Sequence, residues 1–227
     1  PLEERRTQAV MSRRYADADS ADDLGRLDPA AIESVREQAW PQARNADEMH
    51  EALMGLGCVT DEEAQIHGWD GWVASLARHH RATRILAVAG QATRGLWFAA
   101  ERLPQAHALY PQARCEPSIE APAEFAVQAW SREDAALELV RSRMGGLGPV
   151  AADALAAPLA LPRSDVDAAL LELENEGHVM RGRFTATAYM DSDAQEEWCE
   201  RHLLARIHRY TIGRLRREIE PVEIRDF

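Results

Sequence analysis

The feature that most constrains the fold is a run of short amphipathic helices in the second half of the chain. Ser131, with Asp134 three residues later, predicts the start of a first helix, because a serine side chain caps the free backbone amides there. Gly145 and Gly146 predict the end of that helix. A short helix over residues 153–157 is expected next.

A third helix is predicted after Ser164, which is expected to cap it. Its apolar positions recur at intervals of three and four, which places them on one helix face: Val166, Ala169, Leu170 and Leu173. Gly177 predicts the end of this helix. Residues 178–185 then form a β-hairpin, the wing, with its turn at Arg181 and Gly182. Helix, short helix, helix and wing is the order of a winged helix.

The same order of elements is predicted once more in residues 44–122. Asn45 with Glu48 predicts a capping box at one helix start, and Thr60 with Glu63 offers a second cap. The elements expected after them are a helix over residues 70–80 and a β-hairpin with strands over residues 84–88 and 95–99.

The predicted fold class is therefore mostly α with short β-hairpin wings, arranged as tandem winged-helix modules plus a long C-terminal helix. Asp28 and Pro29 predict a short helix ahead of the first module. The last helix is expected over residues 193–219. The expected divisions are an N-terminal loop with the short helix (1–43), module 1 (44–122), module 2 (123–190) and an arginine-rich C-terminal helix (191–227).

Charge is distributed unevenly along the chain. The net charge of −12 counts against a dedicated nucleic-acid-binding domain, because DNA phosphates attract a basic surface. The last helix is the exception, since it carries six arginines and no acidic residue between Arg201 and Arg217. The candidate nucleic-acid-binding residues are Arg206, Arg209, Arg214 and Arg217 in this helix and Arg181 and Arg183 in the wing. The alternative is that the helix arginines pair with the acidic residues of module 2.

The third helix of module 2 is not expected to read DNA bases, because its acidic side chains would repel phosphates. These acidic residues are Asp165, Asp167, Glu172, Glu174 and Glu176. Four aromatic residues are candidates for stacking on an unpaired base, with core packing as the alternative: Trp69, Trp72, Trp97 and Phe98. No set of residues stands out as a catalytic centre or a metal site.

Three stretches resemble signatures of one helicase family. They are WCERHLLARIHRYT at 198–211, continued by RLRREIEPV at 214–222, with LGRLD at 24–28 and RNADEMH at 44–50. They resemble the C-terminal region of bacterial large helicase-related (Lhr) proteins. The resemblance implies an ATP-dependent DNA repair helicase whose motor domains bind ATP and Mg²⁺. This stretch contains no lysine and so no G-x-x-x-x-G-K-[ST] loop, which places it outside the motor with no cofactor of its own.

The expected function is that of a non-motor DNA-handling module, which contacts DNA phosphates or organises an oligomer. The expected partner is single-stranded or forked DNA, bound through the parent protein. The alternatives are a lobe of a winged-helix DNA glycosylase that excises uracil or a damaged base, and a scaffold for self-association. Three widely spaced cysteines favour a reducing cytoplasm, and no apolar run approaches the length of a membrane span.

Overall fold

The computed structural model describes residues 27–89, 92–185 and 196–218. The predicted N-terminal loop and the LGR part of the 24–28 motif lie outside these residues. The described chain begins with helix α1 (Pro29–Ala39), which Asp28 caps by accepting a hydrogen bond from the Ala30 amide. The predicted short helix is therefore confirmed, with proline in the first turn, where a helix leaves that amide unpaired.

The first winged helix consists of three helices and an antiparallel sheet. Its elements are α2 (Ala46–Leu56), β1 (Val59–Thr60), α3 (Asp61–Ile66), α4 (Asp70–Arg78), β2 (Ala82–Ala89) and β3 (Ala92–Ala99). β1 pairs with β3, and β3 pairs with β2. The chain continues through a 3-10 turn (Ala100–Arg102) and α5 (Leu103–Leu109) to β4 (Arg114–Glu116), which pairs with the other edge of β2. The predicted third helix and hairpin are confirmed.

The helix caps of this module are local and agree closely with the sequence. Thr60 and Glu63 form a complete capping box, in which each side chain accepts a hydrogen bond from the other residue's amide. Asn45 caps α2 by accepting from the Glu48 amide. The Glu48 carboxylate, however, accepts from the Arg44 backbone amide and from the Asn45 side-chain amide. It does not accept from the Asn45 backbone amide, so the predicted capping box at Asn45 is only half formed.

The second winged helix repeats this order. After α6 (Ala123–Ala126), its elements are α7 (Arg132–Leu147), β5 (Val150–Ala151), α8 (Ala152–Ala156), α9 (Arg163–Asn175), β6 (Val179–Gly182) and β7 (Glu197–Glu200). β5 pairs with β7, and β7 pairs with β6, all antiparallel. In both modules the first strand therefore pairs with the third, which confirms the mostly α fold class with tandem winged helices and short β elements.

The predicted end of α7 at its two glycines is wrong. The helix continues through Gly145 and Gly146 and ends at Leu147. Gly146 allows two helices to approach closely, because a Cβ at this position would lie 2.9 Å from Leu56 Cδ2 and 3.3 Å from a ring carbon of Trp40. The glycine is thus explained by tertiary packing and not by the helix terminus.

The wing of the second module is wider than predicted. Arg181 and Gly182, which the sequence places at the turn, lie inside β6 and pair with Trp198 and Glu197 of β7. The chain therefore reverses between β6 and β7, and residues 186–195 lie outside the described residues. The predicted turn fails because β7 is too polar at its ends to be recognised as a strand from local alternation.

The starts of two helices also differ from the prediction. Pro162 occupies the N-cap position of α9, and Ser164, predicted as the cap, lies inside the helix. The last helix, α10 (Arg201–Glu218), begins after the predicted residue 193, because residues 197–200 complete the sheet as β7. Its described part ends at residue 218.

One hydrophobic core joins the two winged helices. Ile85, Leu96 and Phe98 of the first sheet belong to the same buried cluster as Leu139 and Met144 of α7. A second cluster fills the inside of the first module, and a third joins α1 to α10. The two modules therefore pack as neighbours with a shared interior, while their predicted boundaries in the sequence remain predictions.

One buried and one half-buried arginine add polar contacts across this junction. Arg143 of α7, only 3% exposed, donates to the Cys58 carbonyl at 3.1 Å and forms an ion pair with Glu63 of α3. Arg102, after β3, donates to the Ser142 hydroxyl of α7 at 3.3 Å. Within the described part of the chain, no helix combines the length and apolar character that a membrane span requires.

Candidate nucleic-acid interface

The position of α10 is fixed by its packing against α1. Leu203 and Ile207 of α10 lie in one buried cluster with Ile32 and Val35 of α1. Thr211, one turn further along, accepts a hydrogen bond from the Asp28 amide at 3.0 Å. Because 203, 207 and 211 lie on one helix face, the opposite face of α10 points away from α1.

The edge of α10 next to α1 carries two of the predicted site residues. Arg206 donates to the side-chain oxygen of Gln38 at 2.7 Å, a neutral partner. Arg214 forms an ion pair with Asp28, 3.1 Å from each carboxylate oxygen. Arg214 is therefore partly neutralised, whereas Arg206 keeps its full charge.

The outer face of α10 carries a row of basic side chains that we call the outer stripe: His202, Arg209 and Arg216. These residues are seven apart, about 10 Å along the helix axis, and all three are exposed. Among the described residues, Arg209 and Arg216 have no ion-pair partner, and neither has the exposed Arg201. The side chain of Arg217 lies outside the described residues.

The alternative pairing of these arginines with module 2 is not observed for the described side chains. The acidic residues of that module pair with other arginines instead: Asp165 with Arg132, Glu176 with Arg141, and Asp153 and Asp167 with Arg163. The hydrogen bonds from Arg141 lower the pKa of Glu176, and the same contact raises the pKa of Arg141. The acidic module thus satisfies much of its charge locally, and α10 packs on α1.

The two wing arginines lie apart from the outer stripe. Arg181 is held within its own module, since its guanidinium lies over the Trp198 ring at 5.5 Å and 3.4 Å from Glu174. Arg183 is exposed and also interacts within the chain. Of the predicted site residues, Arg206, Arg209 and Arg214 therefore lie together on α10. Arg181 contacts Trp198 and Glu174 instead.

The aromatic candidates divide into packed and exposed residues. Trp69 and Phe98 are buried, and Trp97 donates its indole N–H to Asp61 at 3.0 Å, so these three are structural. Trp72 is 39% exposed on α4. The sequence did not predict that α1 supports the candidate site by packing against α10. This contact joins Gln38 and Arg206, which are 168 positions apart. The apolar periodicity of α1 is its only sequence signal.

Comparison with known proteins gives one partial match. Residues 122–182, 61 of the 227, match the family model of the DprA winged helix domain. No curated protein matches the chain. The matched model describes a domain of a DNA processing protein. It does not describe the C-terminal region of an Lhr helicase, so the Lhr assignment is wrong. The expected helicase, ATP-dependent and hydrolase character has no support. Residues 122–182 are thus similar to a winged-helix domain of the DNA-binding kind.

Proposed function

We propose that the chain is a DNA-handling module that binds DNA phosphates, without reading sequence, through the outer stripe of α10. One observation carries the proposal: Arg209 and Arg216 are exposed on one face and have no carboxylate partner among the described residues. Guanidiniums in such a row suit phosphate contacts, which fix the position of a protein on DNA but carry no sequence information.

The second winged helix would then position α10 and not insert its third helix into a groove. Asp165 and Asp167 keep α9 acidic towards its N-terminal half, although each has an arginine neighbour. Phosphates approaching α9 would meet Glu172, which is exposed. The similarity of this module to the DprA winged helix domain supports a role with DNA, and the charge pattern favours α10 as the contact surface.

The test is the salt dependence of binding to a labelled DNA strand. The wild-type chain is expected to bind weakly, with an affinity that falls steeply between about 50 and 200 mM salt. The double variant R209A/R216A should bind roughly 5- to 30-fold more weakly, at about 0.5–1 kcal/mol for each exposed contact. It should also lower the slope of log affinity against log salt by about one for each arginine removed.

A matched control keeps the net charge equal. The variant R78A/R114A removes two exposed arginines from the first module and should leave both affinity and slope near the wild-type values. Equal losses in the two double variants would show that overall charge, and not α10, governs binding. Binding that is insensitive to salt would refute the proposal. Sedimentation and incubation with uracil-containing DNA separate it from self-association and from base excision.

A further inference from the structure

A groove of about 840 Å³ lies beside α1, on the side that faces away from α10. Its walls come from α1 and the residues after it, from the loop between α3 and α4, and from the C-terminal end of α7. The groove therefore lies where both winged helices meet the helix that supports α10.

One wall of the groove is a cluster of aromatic rings in near-parallel planes. The His67 ring stacks 4.8 Å from Trp69 and 5.6 Å from Trp40, with interplanar angles of 25° and 30°. The two indoles lie 6.3 Å apart at 6°. Trp69 is buried, Trp40 is half-buried and His67 is exposed, so His67 presents the most accessible ring of this wall.

The Trp40 indole carries a buried hydrogen-bond donor that has no partner among the described residues. Its Nε1 is buried and has no partner among the described residues, while the Arg143 guanidinium lies 5.2 Å from its ring. A buried N–H without an acceptor is uncommon in a folded protein, since its desolvation is not compensated. The wall thus offers ring surface to the groove, and one of its rings holds a buried polar group that nothing in the described chain satisfies.

The charges around the groove suit a base better than a phosphate. Glu33 and Glu37 line it from α1, and carboxylates repel phosphate but accept hydrogen bonds from the amino groups of bases. Arg36 is occupied by the Leu147 and Pro149 carbonyls. Arg44, exposed at the edge of the groove, is placed to meet the phosphate next to a bound base.

We infer that this groove binds one unpaired nucleobase of a DNA strand, stacked against His67. The inference rests on the proposed function, because it assigns the base to a strand whose phosphates lie on the outer stripe. The strand has to pass both helices, because the outer stripe faces away from α1 and the groove faces away from α10. Each helix with its side chains is about 10–12 Å across, so the path is roughly 20–24 Å, which several nucleotides span.

The experiment compares two labelled single strands with the same phosphates, one normal and one with abasic sites throughout. Wild type should bind the normal strand roughly 5- to 150-fold more tightly, as stacking of a base on an aromatic side chain provides. His67→Ala should remove most of this preference, and His67→Tyr, which keeps a ring, should restore it. His107→Ala removes an exposed imidazole outside the groove and should retain the wild-type preference.

The result separates this inference from the proposed function. R209A/R216A should weaken both strands by the same factor and leave the preference intact. Three results together would overturn the groove inference: wild type binds the two strands equally, His67→Ala does not change the affinity, and binding still depends on salt. The α10 proposal would then remain supported. If wild type binds neither strand, saturation-transfer NMR with deoxyadenosine monophosphate decides. A signal lost in His67→Ala supports the groove, and no signal overturns it.

Discussion

The two winged helices share one topology but differ in the charge of their third helices. α4 in the first module carries Asp70 at its start, Arg78 at its end and the exposed Trp72 between them. α9 in the second module carries four acidic residues and one basic residue, and its acidic residues are exposed or half-buried: Asp165, Asp167, Glu172 and Glu174. The difference shows that the fold does not assign the binding surface, because charge and exposure of individual side chains decide where a polyanion can approach.

The sheets of the two modules lead into different elements. The first sheet gains a fourth strand, β4, at the edge of β2. The second ends with β7, which runs directly into α10, and the Arg201 amide bonds the His178 carbonyl at 3.0 Å. The second module therefore leads directly into the basic helix, which packs against α1, and the first supplies a large share of the common core. Four predictions test this division.

The largest effect is expected at the junction of the two modules. Arg143→Ala should lower the free energy of unfolding by about 3–5 kcal/mol, because it leaves Glu63 and the Cys58 carbonyl without their partner. Chemical denaturation measures the change. Arg141→Ala removes a more exposed pair with Glu176 and should cost roughly 0–1 kcal/mol. A similar small loss for both variants would mean that the junction does not depend on its buried arginine.

The two adjacent glycines of α7 should respond in opposite directions. Gly146→Ala should destabilise the chain by about 1–3 kcal/mol, because its Cβ would press on Leu56 and Trp40. A Cβ at position 145 would have no atom within 4 Å, so Gly145→Ala should stabilise the fold by about 1 kcal/mol through the higher helix propensity of alanine. Thermal unfolding of both variants checks the pair, and equal shifts would argue against the close helix contact.

A smaller loss is expected from one hydrogen bond between the modules. The Tyr110 hydroxyl donates to the Leu159 carbonyl at 2.6 Å in a buried site, and burial raises the pKa of Tyr110 well above its usual value. Tyr110→Phe should cost about 1–2 kcal/mol. The exposed Tyr210 makes a 3.3 Å contact with Gln38, and Tyr210→Phe should change stability little. The denaturant midpoints of the two variants measure the difference, and equal midpoints would contradict this prediction.

The reactivity of the three thiols compares buried positions with strand β4 and requires no substitution. Burial raises the pKa of Cys58 and of Cys199 to about 12, so both stay protonated near pH 8. Cys115 on β4 is partly exposed, and burial raises its pKa less far. Titration of the native chain with a disulfide reagent should find one reactive thiol of three. Rapid reaction of all three would show that the cores open.

Much of the secondary structure could be predicted because its causes are local. The Thr60–Glu63 capping box and the cap at Ser131 depend on residues within one helical turn, and both are present. The apolar spacing of α9 likewise identified its buried face, since Val166, Leu170 and Leu173 are all buried. The wing failed because β6 finds its partner fifteen or more residues away, across a stretch with no regular alternation.

The candidate site was only half predictable for the same reason. The sequence alone determined that α10 is a helix with many arginines, because composition and periodicity act along the chain. Only the tertiary structure decided which arginines face outward. The contact of Asp28 with Thr211 and Arg214, and of Gln38 with Arg206, joins residues that are far apart in sequence. Such contacts form when two apolar helix faces are buried together, and no local pattern specifies which pair of faces will meet.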